Sequence, residues 1–158
     1  MADSKLIRER IAIHESGHAI VSYLMGYRVL EINVFPHKVY GYNGYIIDDS
    51  KESPSSNEDA NKSICICFAG EIAENIKYGF LETSLSGRGL IDRRKASKLL
   101  EKHFVDSKTK QTKLLKEQVR TLLEINWSDV ERLAEILTRN ESGCVLKENE
   151  VLRIIREN

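Results

Sequence analysis

His14, Glu15 and His18 are the residues of this chain whose types and spacing could do chemistry. They stand in the run Ile11–Met25, IAIHESGHAIVSYLM, which is otherwise apolar or small except for Ser16, Ser22 and the Tyr23 hydroxyl. Helix residues four apart lie one turn apart on the same face, so the two imidazoles can bind one Zn²⁺. The intervening Glu15 then reaches a zinc-bound water as its general base. Zinc lowers the pKa of such a water toward about 7, and the carboxylate takes its proton as the water attacks a polarised carbonyl. A single buried histidine is normally a core residue bonded to a backbone carbonyl. Two histidines and a glutamate at this spacing, on a face that would otherwise be plain core, point instead to a metal.

A catalytic zinc of this kind needs a third protein ligand and an open position. The chain offers His37, Asp48, Asp49, Glu71, Glu74, Asp92 and His103. An HExxHxxGxxH extension is excluded, because the segment continues AIVSYLMG. Glu71 and Glu74 share a helix at i, i+3 spacing and fit a ligand role, a supporting role or pairing elsewhere. Spacing alone does not choose among these.

The elements that must position these residues follow from periodicity. A helix is expected over about Leu6–Met25, and its Ile11–Met25 part is apolar or small on nearly every side, the mark of a buried central helix. Its stripe Ile7, Ile11, His14, His18, Val21 and Met25 carries both imidazoles. Val29–Phe35, with apolar residues at 30, 32 and 34, and Tyr42–Ile47 read as strands, joined through His37–Gly41. Asp48–Asn57 is a polar loop. A long helix over Glu58–Tyr78 stops at Gly79, and Thr83–Gly89 is a Gly/Ser loop. Asp92 opens a helix running to about Val105. Lys108–Ile125, Ser128–Arg139 and Lys147–Arg156 complete the set, with Asn140–Cys144 as a connection. The expected fold is mainly α (α+β): a helical domain with a small β-sheet inserted after the first helix.

Composition narrows the function classes. The 158 residues carry 24 Lys+Arg against 24 Asp+Glu, a net charge of zero, where nucleic-acid binders carry a basic excess. Hydrophobic residues make up 41%, enough for a packed core and too many for a disordered chain. No stretch reaches the roughly 18–20 apolar residues of a membrane span, and MADSKLIRER is too charged for a signal peptide. The three cysteines, Cys65, Cys67 and Cys144, form no disulfide framework, so a reducing, cytoplasmic setting is expected.

At this level the sequence resembles the zinc peptidase domain of FtsH-type membrane-bound AAA+ proteases. AIHESGHAIV (Ala12–Val21) is similar to that family's HEAGHA helix, and FAGEIAENIKYG (Phe68–Gly79) to its GGRAAEExxFG helix. SGRGLIDRRKAS (Ser86–Ser97) resembles its TxGASNDxxxAT segment, with Leu90–Ile91 in place of Ser–Asn. LAEILTRNESGCVLKENEVLRII (Leu133–Ile155) resembles its closing segment. The resemblance implies His14, His18 and Asp92 as ligands of one zinc per chain, and Glu15 as the catalytic base. No GxxxxGK[ST] phosphate loop and no membrane anchor occur, so residues 1–158 are expected to form one peptidase domain.

The reading that follows is an ATP-independent zinc metallopeptidase acting on unfolded or flexible polypeptides. It leaves room for a homo-oligomer or a separate unfoldase partner, and for no nucleic-acid or membrane partner. Two alternatives stand beside it: a non-catalytic regulatory or interaction domain that keeps the fold and the zinc, and a hydrolase of non-peptide amides. Among lesser signals, YGYNGY (40–45) reads either as an edge strand for an added peptide strand or as a hairpin with exposed aromatic ends. Arg88, Arg93, Arg94 and Lys95 read as a solvated helix face more readily than as a steering patch. Cys65 and Cys67 cannot both face the core of one helix and read as small packing residues more readily than as ligands, and His37 and His103 have no motif around them.

Overall fold

The computed structural model describes residues 3–79 and 88–157. Residues 83–87 of the expected Gly/Ser loop lie outside that set. Helix α1 (Ser4–Leu24) starts where the Asp3 side chain accepts the Lys5 N–H at 3.0 Å. Strands β1 (Val29–His37) and β2 (Gly41–Asp48) form an antiparallel hairpin. Helix α2 (Asn57–Tyr78) is capped by Ser56, whose side chain accepts the Asp59 N–H. It ends at Gly79, where φ is +79° and the N–H returns to Asn75 O, the helix stop the sequence anticipated. Helices α3 (Arg88–His103), α4 (Lys108–Ile125) and α5 (Trp127–Thr138) follow. Strand β3 (Cys144–Lys147) then leads into α6 (Glu148–Arg156).

The architecture is mainly α with a small antiparallel sheet, as expected, but the sheet is not wholly an early insertion. Its order is β2-β1-β3, and its third strand comes from the far end of the chain. Residues 144–147 were expected as a connection and a helix start. Only pairing with β1, Ile32 opposite Leu146 and Val34 opposite Cys144, makes them a strand. Strand β1 also corrects the simple alternation. A bulge between Val29 and Glu31 turns Val29 inward, while Leu30 is only half-buried. Ile32 and Val34 face the core as anticipated.

The central helix is α1, against which α2, α5, β1 and β2 all pack. Ile11, Ala12, Ile13, Ala19, Ile20 and Val21 are all buried there. Its crossing with α2 is close because small residues meet. A Cβ on Gly17 would fall 2.6 Å from Ala73 Cβ and 2.8 Å from Ala69 O, nearer than packed atoms approach. This contact sets the depth at which the two helices face each other around His14 and His18. Helix α2 is also flanked by α3 and α4, so it is buried on more than one side. Cys65 and Cys67 are therefore both in the core, 1% and 6% exposed, contrary to the expectation that only one could be. Burial pushes their thiols up to about 11 and about 12, which makes them packing residues, not nucleophiles.

Candidate metal centre

His14 and His18 lie on the face of α1 turned toward α2, and both are buried. Asp92, on α3, reaches them from a third element. Its carboxylate Oδ2 stands 3.3 Å from His14 Nε2 and 3.0 Å from His18 Nε2, and the two Nε2 atoms are 3.0 Å apart. The three atoms belong to the one cluster of metal-ligating side chains found among the described residues.

The outer nitrogens fix what the inner ones can do. His18 Nδ1 lies 2.6 Å from Ile66 O, which can only accept, so Nδ1 carries the hydrogen. His14 Nδ1 donates in the same way to Glu74 Oε1 at 2.6 Å. In the neutral rings both Nε2 atoms then present lone pairs to each other and to a carboxylate oxygen. Such a convergence repels itself unless a positive charge stands among the three. Two imidazole nitrogens and a carboxylate oxygen form a donor set typical of zinc, and arms of 2.0–2.1 Å in a tetrahedron give ligand separations of about 3.3–3.4 Å. The observed 3.0–3.3 Å is close to that face, so the residues fit the ion.

Gly70, on α2, completes the cradle. A Cβ there would lie 2.4 Å from His14 Nε2 and 2.5 Å from His18 Nε2. A glycine inside a helix costs roughly 1 kcal/mol relative to alanine, and here the bare backbone leaves room around the two Nε2 atoms. Nothing in the sequence pattern singled Gly70 out.

The electrostatics match a site built for positive charge. Burial opposes a charged His14, but Asp92 and Glu74 outweigh it and raise the imidazole from 6.5 to about 10. Burial likewise works against ionised Asp92, yet His18 and His14 hold its carboxyl below the usual carboxylate range. Glu74, also opposed by burial, is held down by His14 and Arg10.

Glu15 is 3% exposed and lines a cavity of about 200 Å³ together with His18, Asp92, Ile46, Cys67 and Lys95. The cavity is bounded on one side by β2. A Cβ on Gly44 would come within 2.8 Å of Glu15 Cγ and 2.9 Å of Ile11 Cγ2, so glycine lets the strand lie against α1 beside the glutamate. The expected motif residues are thus brought together in space, with Glu15 facing the same cavity as two of the three donors.

Asp92 does not open its helix. Helix α3 already begins at Arg88, and Asp92 lies in its second turn with its side chain turned inward. Leu90 and Ile91, 49% and 63% exposed, gave no amphipathic signal for that first turn. The other candidate ligands stand outside the three-donor cluster, although Asp48 also lines the cavity and Glu74 holds His14. Glu71 pairs with Arg93 at 2.7 Å, Asp48 accepts the Ser22 hydroxyl at 2.7 Å, and Asp49 accepts the Arg28 N–H at 2.8 Å. His37 accepts two backbone N–H groups in the β1–β2 turn, and His103 contacts Asn57. Of the basic cluster, Arg93 is paired, Arg94 is exposed and Lys95 lines the cavity, while the Arg88 side chain lies outside the described set. Tyr42 is buried with its hydroxyl on Glu141 O, so the hairpin's aromatic ends are not all exposed.

No helix among the described residues is long and apolar enough to cross a membrane. Comparison with curated proteins gives no match. The sequence profile of peptidase family M41 matches residues 1–102, which carry α1, β1, β2, α2 and nearly all of α3, and with them every residue of the candidate centre. The chain belongs to peptidase family M41, the FtsH-type zinc metallopeptidases.

Proposed function

We propose that this chain is a zinc endopeptidase in which His14, His18 and Asp92 hold one zinc ion and Glu15 is the general base. The observation that carries the reading is the meeting of three donor atoms within 3.3 Å beside a buried glutamate in one cavity. Bound zinc supplies a Lewis acid that acidifies water and polarises a carbonyl. Glu15, on α1 against Gly44, would take a proton from the attacking water and pass it to the leaving amine. His18 is aimed by a backbone carbonyl and His14 by Glu74, so neither ring would have to reorient to hold the ion.

The substrate form follows from access. The cavity is small and lies under β2, which is an edge strand among the described residues. A polypeptide pairing with that edge would run past Gly44, and so past Glu15. Only an extended backbone can do so, which favours unfolded segments and flexible loops over folded domains. The balanced charge of the chain favours neither nucleic acid nor an anionic membrane as partner. Its three cysteines are unpaired, in keeping with a reducing cytoplasm.

The test is hydrolysis of casein by the purified protein. Chelator treatment is expected to abolish cleavage, and one equivalent of zinc to restore it. Zinc bound at one per chain with no cleavage of any unfolded protein would favour a regulatory domain that retains the fold.

A further inference from the structure

Arg10 lies one turn before His14 on α1 and is 8% exposed, a costly place for a guanidinium unless it is paired. Its pairing is one-sided. Nε and Nη2 both donate to Glu74 Oε2, at 3.3 and 2.9 Å. The other oxygen of the same carboxylate, Oε1, accepts from His14 Nδ1. One carboxylate is therefore divided between a cation and a ligand ring. The Tyr78 ring, 5.9 Å from the guanidinium carbon, packs against Arg10 in turn.

The two candidate ligand histidines are aimed by different means. His18 is held by Ile66 O, part of a helix backbone that cannot swing. His14 is held by the end of a glutamate side chain with three rotatable bonds. Left to itself, that carboxylate could turn either oxygen, or neither, toward the ring. Capture of Oε2 by Arg10 removes this freedom.

We infer that Arg10 is a positioning residue for the metal centre: by fixing Oε2 of Glu74 it keeps Oε1 on His14 and so sets the orientation of that ligand. The inference rests on the zinc reading above. An ion pair that only tied α1 to α2 would change the stability of the fold and leave the zinc affinity of folded protein alone. An ion pair that aims a ligand changes that affinity, and partners of metal-bound histidines typically account for about 10–100-fold.

The test is zinc affinity by chelator competition, with thermal unfolding of the zinc-free proteins in parallel, for wild type, Arg10→Gln, Arg10→Lys, Glu74→Ala and the double variant Arg10→Gln/Glu74→Ala. Arg10→Gln is expected to weaken zinc binding roughly tenfold. Arg10→Lys, which keeps a cation at Oε2, is expected to recover most of that loss. In the Glu74→Ala background the Arg10→Gln change is expected to have no further effect, because Arg10 acts only through Glu74. Wild-type affinity in folded Arg10→Gln, an equal loss in both backgrounds, or a lysine variant as weak as the glutamine one would overturn the inference. If Arg10→Gln does not fold, the remaining variants decide. Arg10→Lys near wild type with the double variant equal to Glu74→Ala supports it, and a double variant weaker than Glu74→Ala overturns it. Wild-type protein that binds no zinc would overturn the metal reading itself, and the inference with it.

Discussion

Gly70 faces His14 across the α1–α2 contact so closely that a Cβ at position 70 would lie 2.4 Å from His14 Nε2. The obstruction is to the two imidazoles and not to the helix, since alanine favours α-helix over glycine by roughly 1 kcal/mol. Gly70→Ala should therefore keep its circular dichroism and lose zinc. Metal analysis after gel filtration checks this, and a variant retaining one zinc per chain would show that the cradle tolerates the methyl group.

Asp92 and Glu71 separate the proposed ligand from a bystander. Both are acids near the site, but Asp92 points at the two Nε2 atoms while Glu71 forms a surface pair with Arg93. Asp92→Ala is expected to lose zinc and all peptidase activity. Glu71→Ala should keep both, with stability changed by about 1 kcal/mol or less, as for exposed ion pairs. Zinc content of the two purified variants decides between them.

Zinc binding should depend on pH in a definite direction. Burial disfavours protonated His14, yet Asp92 and Glu74 raise it from 6.5 to about 10. A group whose pKa is raised by folding stabilises the fold fully below its unfolded value. That contribution is lost as pH rises through the folded value. In chelator-treated protein the His14 contribution is thus present below about pH 6.5 and disappears toward pH 10. Near neutral pH the ion must displace the His14 proton, so apparent affinity should rise by up to about tenfold per pH unit. Titration with zinc in a weakly buffered indicator dye should show proton release, and pH-independent affinity between pH 6.5 and 8 would contradict it.

Much of the candidate site was legible because its signal is local. His14, Glu15 and His18 lie within one and a half turns of one helix, and the apolar surroundings of α1 announce its burial. The long-range part was not. Glu74 was recognised as a candidate, but its pairing with Arg10 joins residues 64 apart in sequence, and no periodicity encodes that. An arginine one turn from His14 on an apolar helix was the available signal. Strand β3 was missed for the same reason, since four residues acquire strand identity only from β1. The Val29–Glu31 bulge moved burial from Leu30 to Val29, a register effect that alternation alone cannot show. Cys65 and Cys67 are packing residues as anticipated, but their joint burial was not foreseen, because the number of neighbours around α2 is a tertiary property.

Comparison of wild type with Glu15→Gln tests the central claim most directly, reading casein cleavage and bound zinc on the same samples. Glutamine preserves the size of the buried side chain and removes its ability to take a proton. Both proteins are expected to hold one zinc per chain, with cleavage in the wild type and a loss of at least about 100-fold in the variant. Equal cleavage by the two proteins would contradict the assignment of Glu15 as the base.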